Sequence, residues 1–364
     1  MKIVIAAWHL KDFNVGLGRY TRNLIESLGH VDRTNDYKIL IPVKPVNFPS
    51  YPNVEYRFCR YPVFKRRFWE QAATMCGGRY DLLHFPYDSC LAVKRGKFIV
   101  TIHDVKPLLY PKPTKHFNLY GYMQRLCIPR PLENIDHIIT VSECSRRDIV
   151  EHLGVPQEQI TVIPQGVEHG LFLPSTTEVT HEQESSPYVL CVAGSDPTKN
   201  IQSLIHAFSL LPEDIRQSHQ LILVGDINKH GELPRLVKQK GIEPQTVFAG
   251  PVSDRQLVQY YQQASLFVFP SLYEGFGLPV LEAMACGCPV VCSNTSSLPE
   301  VVGDAAMMVS PLDSADLEHA MRQVLTDPSL QARMRNAGLQ RAQQFSWEQT
   351  AVQTVQLYEH VAGS

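Results

Sequence analysis

The sequence predicts an α/β protein of two doubly wound parallel-sheet domains, and three observations carry that expectation. Short apolar runs at 3–5, 38–41, 82–85, 98–102 and 137–141, then at 188–192, 221–224 and 247–249, alternate with helix-like stretches from end to end. Such alternation is the pattern of a parallel sheet fed by crossover helices. At 364 residues the chain exceeds what one core comfortably supports, so two domains of about 150–190 residues are expected. Between Gly170 and Pro187 the sequence turns polar and loses its periodicity, as a surface linker does. The division is therefore 1–169, a linker at 170–187, a second domain at 188–345, and a closing helix at 346–364. For that helix, Ser346 and Gln349 are spaced as a capping box, and Trp347, Ala351, Val355 and Tyr358 recur at helical intervals.

Composition narrows the class. Hydrophobic residues make up 44% and charged residues 19%, the balance of a folded soluble chain rather than a disordered one. No apolar run approaches the twenty or so residues of a membrane span, and residues 1–7 are too short for a signal peptide, so they read as a first strand in a cytoplasmic protein. Nine cysteines (59, 76, 90, 127, 144, 191, 286, 288 and 292) are odd in number and scattered through apolar sequence, which implies buried thiols without disulfides. Cys286-Gly-Cys288 has no matching second pair and there is no His-Glu-x-x-His array, so neither a metal nor a resident cofactor is expected.

Charge divides with the domains. Residues 1–168 hold 23 Lys+Arg against 16 Asp+Glu, whereas 169–364 hold 11 against 20. The densest basic stretch, 56–69, interleaves Arg57, Arg60, Lys65, Arg66 and Arg67 with aromatic residues. Two readings stay open: a surface resting on anionic lipid headgroups, or an ordinary solvated face with snorkelling side chains. Nucleic acid is not an expected partner, because the chain carries no recognisable binding motif and its net charge is −2.

The most informative stretch is Pro270–Pro289, set between two strand-like runs. Leu266-Phe-Val-Phe269 is short, aromatic and β-branched, Pro270 ends it, and a helix follows with Pro279 suited to its first position and Gly287 to its stop. Ligands in parallel sheets bind just beyond such strand ends. Gly275 and Gly277 allow a sharp turn and close approach of a ligand. The amides of Gly277 and Leu278 sit at the positive end of the helix, which suits a diphosphate. Glu282, about one turn in, offers two acceptor oxygens to the paired hydroxyls of a ribose, and Glu274 stands on the loop where it can hold hydroxyls of a sugar. Both glutamates as solvated surface charges is the alternative.

Ser271-Leu-Tyr-Glu-Gly-Phe-Gly-Leu-Pro-Val-Leu-Glu-Ala-Met-Ala-Cys-Gly287, with its Glu-x7-Glu spacing, resembles the signature of the retaining glycosyltransferases of family 4, and the similarity extends over nearly the whole chain. The resemblance implies the GT-B fold: two Rossmann-like domains facing across a crevice, the first on the acceptor side, the second binding the nucleotide sugar, with 346–364 returning to the first. It implies that Gly18, in Gly16-Leu-Gly-Arg-Tyr20, brings backbone amides near the donor phosphate; a plain helix start is the alternative. A dinucleotide fingerprint is not met there, since the third glycine is missing. By the same resemblance His103, in Thr101-Ile-His-Asp104, meets the transferred sugar through a ring N–H or its backbone carbonyl. Gly194 and Lys199, in Gly194-Ser-Asp-Pro-Thr-Lys199, meet the leaving diphosphate.

One departure stands out. Many relatives carry an arginine beside that glycine or lysine, where this chain has Ser195 and Thr198, and Arg19 is the substitute considered for the missing charge. The implied reaction moves a hexosyl unit from a nucleoside-diphosphate sugar to a saccharide or lipid-linked hydroxyl, with retention, and without metal or protein nucleophile. His103, Glu274 and Lys199 are its central residues. The motifs look most like mannosyl- and related hexosyltransferases of surface polysaccharide assembly, with a guanosine or uridine donor, working in the cytoplasm or on the cytoplasmic face of a membrane. A nucleotide-sugar epimerase of similar fold and a non-catalytic nucleotide-sugar-binding or activator subunit are the rivals.

Overall fold

A computed structural model describes residues 1–12, 16–43, 48–60, 66–89, 95–111, 131–175, 186–227 and 231–363. The chain forms two compact units, Met1–Gly166 together with Trp347–Ser364, and Val167–Ser346. In the first, β1 (Lys2–Ala6), β2 (Asp36–Ile41), β3 (Val54–Phe58), β4 (Leu82–Phe85), β5 (Lys97–Thr101), β6 (His137–Thr140) and β7 (Ile160–Val162) pair in the order β3-β2-β1-β4-β5-β6-β7. In the second, β8 (Tyr188–Val192), β9 (Gln220–Val224), β10 (Thr246–Gly250), β11 (Leu266–Phe269), β12 (Val290–Ser293) and β13 (Met307–Val309) run β10-β9-β8-β11-β12-β13. Every pairing in both sheets is parallel.

Both sheets reverse their winding once, between β1 and β4 and between β8 and β11. Loops leaving the two strands of such a switch point diverge and open a crevice at the carboxyl edge, where α/β sheets bind ligands. The central strands are largely apolar and buried: β11 is wholly buried, as are Ile3, Val4 and Ile5 of β1.

Three strands escape the sequence reading. β3 and β7 lie at the edges of the first sheet and β13 at the edge of the second, so none needs a continuous apolar run. β3 alternates half-buried and exposed positions and runs into the start of the basic stretch, while β7 and β13 have three residues each. The units divide between Gly166 and Val167 rather than at 169/170. The reason is local: Val167 N–H donates to the Phe345 carbonyl (3.2 Å), buried Phe172 lies against Tyr261, and Gln262 Nε2 donates to the Leu173 carbonyl. Most of the linker read from sequence, 176–185, lies outside the described residues.

The Trp347–Gly363 helix belongs to the first unit and packs on the Gly16–Val31 helix, burying Trp347, Ala351, Leu357, Tyr358 and Val361. Thr350 Oγ1 ties it to the Pro164 carbonyl at 2.8 Å.

The basic stretch is less free than its sequence suggests. Arg66 turns inward because Glu70 is fully buried and needs a counter-charge. Its Nε lies 3.2 Å from Glu70, its Nη2 donates to the Asp88 carbonyl (3.0 Å) and carboxylate (3.2 Å), and the guanidinium covers the Tyr87 ring. Trp69 is 2% exposed and donates to the Cys59 carbonyl. Arg57 and Arg60 are exposed, while Lys65 and the Arg67 side chain lie outside the described residues. No helix among the described residues is long and apolar enough to cross a membrane.

The six described cysteines, Cys59, Cys144, Cys191, Cys286, Cys288 and Cys292, are free and buried; 90, 127 and the side chain of 76 lie outside the described residues. Burial pushes the thiols of Cys191, Cys288 and Cys292 up to about 12, so they stay protonated and unreactive near neutral pH.

Candidate active site

In the second unit the residues singled out from sequence gather at the carboxyl edge beside the β8/β11 switch point. β11 delivers the 270–277 loop and β8 delivers the 193–200 turn, two loops held together by the Leu272 N–H donating to the Thr198 carbonyl at 2.7 Å. Asn200, in the left-handed region at φ 54°, adds a second tie, donating through Nδ2 to the carbonyls of Pro270 (3.1 Å) and Pro311 (2.7 Å). Within the turn, Asp196 Oδ1 accepts from the Thr198 amide and hydroxyl, which winds the backbone into one short helical turn ending at Lys199.

That winding brings Lys199 and Glu274 together. Lys199 Nζ donates to Glu274 Oε1 at 2.6 Å and also lies 5.0 Å from the centre of the Phe269 ring. Ser271 Oγ, wholly buried, donates to the same carboxylate oxygen at 2.5 Å. Both protein partners thus converge on Oε1. The pair is neither solvated nor sealed, with side chains 19% and 12% exposed for Lys199 and Glu274. The loop beneath is fixed by two more serines: the Glu274 N–H donates to Ser296 Oγ (3.0 Å), and Ser297 Oγ lies 2.9 Å from the Glu274 carbonyl and 2.7 Å from that of Phe276. Sequence reasoning missed Ser271, Ser296 and Ser297.

Gly277, at φ 115°, caps the Leu278–Ala285 helix, and Pro279 falls on its second residue rather than its first. The positive φ requires glycine there, and a Cβ would stand 2.7 Å from Leu298 Cδ2, so that side chain would have to move. The amides of Gly277 and Leu278 have no preceding helical turn to accept from them and form the positive end of the helix. Glu282, on the next turn, is 4% exposed, and its Oε2 accepts from the Tyr261 hydroxyl at 3.2 Å, which sets the carboxylate's orientation. It is therefore not a solvated surface charge.

At Gly194 a Cβ would meet nothing within 4 Å, so no protein neighbour demands glycine there, and bare backbone leaves room for a ligand. Directly behind it, a Cβ on Gly225 (φ 122°) would come 1.9 Å from the Ala193 carbonyl oxygen. Gly225 is thus what lets β9 close against the turn, a requirement no local sequence pattern announced.

In the first unit, Gly16 and Gly18 belong to the opening turn of the Gly16–Val31 helix rather than to a loop before it. Gly18 is buried there and Arg19 half-buried; residues 13–15 lie outside the described residues. His103 follows β5 by two residues and is half-buried. Its Nε2 lies 3.1 Å from the Pro86 carbonyl, which can only accept, so Nε2 carries the proton. Nδ1, 3.2 Å from Gln165 Nε2, then accepts. Burial pushes the imidazole below its usual 6.5, so the ring is neutral at pH 7. Both ring nitrogens are thereby occupied inside the unit. Of the two sugar contacts expected of His103, the ring N–H is spent and the backbone carbonyl is left; Ser145 Oγ holds one of its lone pairs at 2.9 Å.

Comparison with known proteins identifies the family and the fold. Residues 16–171 match the family Glycosyltransferase Family 4, and residues 175–341 match Glycosyl transferases group 1. The chain is 31% identical to O-antigen chain mannosyltransferase B of Escherichia coli across 99% of its own length and 100% of the relative's. It is 34% identical to the MMP alpha-(1->4)-mannosyltransferase of Mycolicibacterium hassiacum, across 66% of this chain and 57% of that one. Among solved structures, sucrose-phosphate synthase from Thermosynechococcus elongatus superposes over 100% of both chains with a TM-score of 0.78 at 24% identity. WaaG, a glycosyltransferase involved in lipopolysaccharide biosynthesis, does so over 100% of both with 0.74 at 15%. The chain has the GT-B fold of these glycosyltransferases. It belongs to glycosyltransferase family 4, and its activity is the transfer of a hexosyl unit.

Proposed function

We propose that this chain moves a mannosyl unit from a nucleoside-diphosphate mannose onto a hydroxyl of a saccharide or lipid-linked acceptor, with retention and without a metal. The observation that carries the chemistry is the shared oxygen at Glu274: one carboxylate, bound on Oε1 by Lys199 and Ser271, turned to binding rather than to attack. A retaining hydrolase would place two carboxylates about 5 Å apart across the bond it breaks. Here the second carboxylate, Glu282, is buried on a helix and held by Tyr261. The full-length similarity to an O-antigen chain mannosyltransferase supports the choice of sugar.

Each residue then has one task. Glu282 accepts from the ribose hydroxyls. Lys199 and the Gly277 and Leu278 amides supply positive charge to the leaving diphosphate, with bare Gly194 giving it room, and Gly18 and Arg19 add the contribution of the first unit. Glu274 Oε2 accepts from hydroxyls of the transferred sugar, and the His103 carbonyl faces the charge that develops on its ring. The leaving phosphate oxygen takes the proton of the attacking hydroxyl, so the protein contributes position and electrostatics rather than a nucleophile. Arg57 and Arg60 rest on anionic headgroups when the acceptor is lipid-linked, which sets the reaction on the cytoplasmic face of a membrane.

The test is release of nucleoside diphosphate from mannose and glucose nucleotides of guanosine and uridine, with and without a mannose-terminated oligosaccharide, in EDTA. The expected result is release that requires the oligosaccharide, persists in EDTA, and yields a product with the donor's anomeric configuration by NMR. Acceptor-independent release of an epimerised free sugar would support the epimerase reading, and binding without release the non-catalytic one.

A further inference from the structure

The first unit's share of the site is braced from behind by a buried polar chain that ends on the C-terminal helix. The Tyr358 hydroxyl lies 2.6 Å from His84 Nδ1, and His84 Nε2 lies 2.9 Å from Thr101 Oγ1. Tyr358, His84, Thr101 and Tyr20 are each 0% exposed. Thr101 closes β5 two positions before His103, and the Tyr20 hydroxyl sits beside it. The Tyr20 ring meets His103 edge-on, with centroids 4.5 Å apart and planes at 89°, and it also meets the ring of Trp347, the first residue of the same C-terminal helix.

The helix therefore reaches this half-site twice. Through Trp347 it touches Tyr20, the residue that follows Gly18 and Arg19; through Tyr358 and His84 it touches Thr101, which precedes His103. Docking alone does not call for the polar route, because Ala351, Leu357 and Val361 already bury an apolar face and Thr350 bonds the Pro164 carbonyl. Burial holds the His84 imidazole down at about 3, so it is neutral at any assay pH and presents one donor and one acceptor. Both are used, which gives the chain a fixed direction and geometry that a packed apolar contact would lack.

We propose that Tyr358, His84 and Thr101 are positioning residues that lock Tyr20 against the His103 ring, and so hold the His103 carbonyl where it meets the transferred sugar. This rests on the reading of His103 as a sugar contact.

The experiment is steady-state transfer by the full chain carrying Tyr358→Phe, Thr101→Val or Thr101→Ser, each alone and combined with His103→Ala, which removes the ring through which Tyr20 acts. Tyr358→Phe and Thr101→Val are expected to lower kcat about tenfold, part of the hundredfold that a 1 Å misplacement can cost. The donor KM should stay within about twofold, since the donor-binding loops of the second unit are untouched. Thr101→Ser, which keeps the hydroxyl, should restore kcat. In the His103→Ala background Tyr358→Phe should have no further effect, because residues acting as one unit do not add.

Full additivity with His103→Ala, an unchanged kcat in Thr101→Val, or equal losses in the valine and serine variants would overturn the positioning role. If Tyr358→Phe does not fold, the Thr101 pair decides it alone. An unchanged kcat in His103→Ala, which keeps the backbone carbonyl and removes only the ring, would overturn the positioning role and leave the sugar-contact reading standing.

Discussion

Replacing Glu274 by alanine lowers kcat/KM by about 10²–10³-fold, the loss expected when one preorganised electrostatic group is removed from a reacting centre. Two effects combine. In the proposed role the sugar loses its acceptor, and Lys199, 2.6 Å from that carboxylate and only 19% exposed, loses the charge that places it. Ser271 is left as a buried hydroxyl without its partner, at a cost of about 1–3 kcal/mol in stability. Glu274→Gln separates these contributions: its amide oxygen still accepts from Ser271 and keeps the fold, while the ion pair is gone. Rapid-quench transfer assays beside thermal unfolding would show it. Activity within tenfold of the unsubstituted chain in both variants, with the fold intact, would remove Glu274 from the reaction.

Gly225→Ala has the largest expected effect on stability, and its outcome does not depend on knowing the substrate. At φ 122° the new Cβ would stand 1.9 Å from the Ala193 carbonyl oxygen, and the atom it strikes is backbone, which cannot rotate away as a side chain can. β9 must separate from β8, or the Ala193–Gly194 turn must move. The cost is about 3 kcal/mol or more, which for a unit of this size lowers the unfolding midpoint by roughly 6–12 °C. Gly194→Ala is the matched control. Its Cβ meets nothing within 4 Å and its φ is not positive, so it should fold normally and weaken only the donor. Calorimetric melting of the two variants checks both halves; equal melting temperatures would show that the two strands are not locked at this point.

The sequence made legible those features whose physics is local. β11 is four buried apolar residues ended by proline, and Gly277 before Leu278-Pro279 is a helix start with a required glycine. Lys199 and Glu274 were visible through the family motifs although 75 residues separate them. Features fixed by tertiary contact were not legible. Val54–Phe58 hides as a strand because an edge position tolerates Glu55 and Arg57, and the charges read instead as a basic surface. Arg66 belongs to that surface only in sequence, since buried Glu70 draws it inward. Ser271, Ser296 and Ser297 carry no signal beyond that of ordinary loop serines, yet they set the Glu274 loop. Tyr358 read as one apolar position on a helix, because the imidazole it meets is 274 residues away.

In the proposed function the second unit holds a nucleoside-diphosphate sugar at Lys199, the Gly277 amide and Glu282. Its most direct measurement is isothermal titration of guanosine and uridine diphosphates and their mannose conjugates into the full chain and into the Lys199→Ala and Glu282→Gln variants. One base should bind selectively, with Lys199→Ala weakening the diphosphate far more than the bare nucleoside, and Glu282→Gln weakening the ribonucleotide more than its 2′-deoxy analogue. Absence of binding by every member of the panel, or an affinity that neither substitution changes, would contradict it.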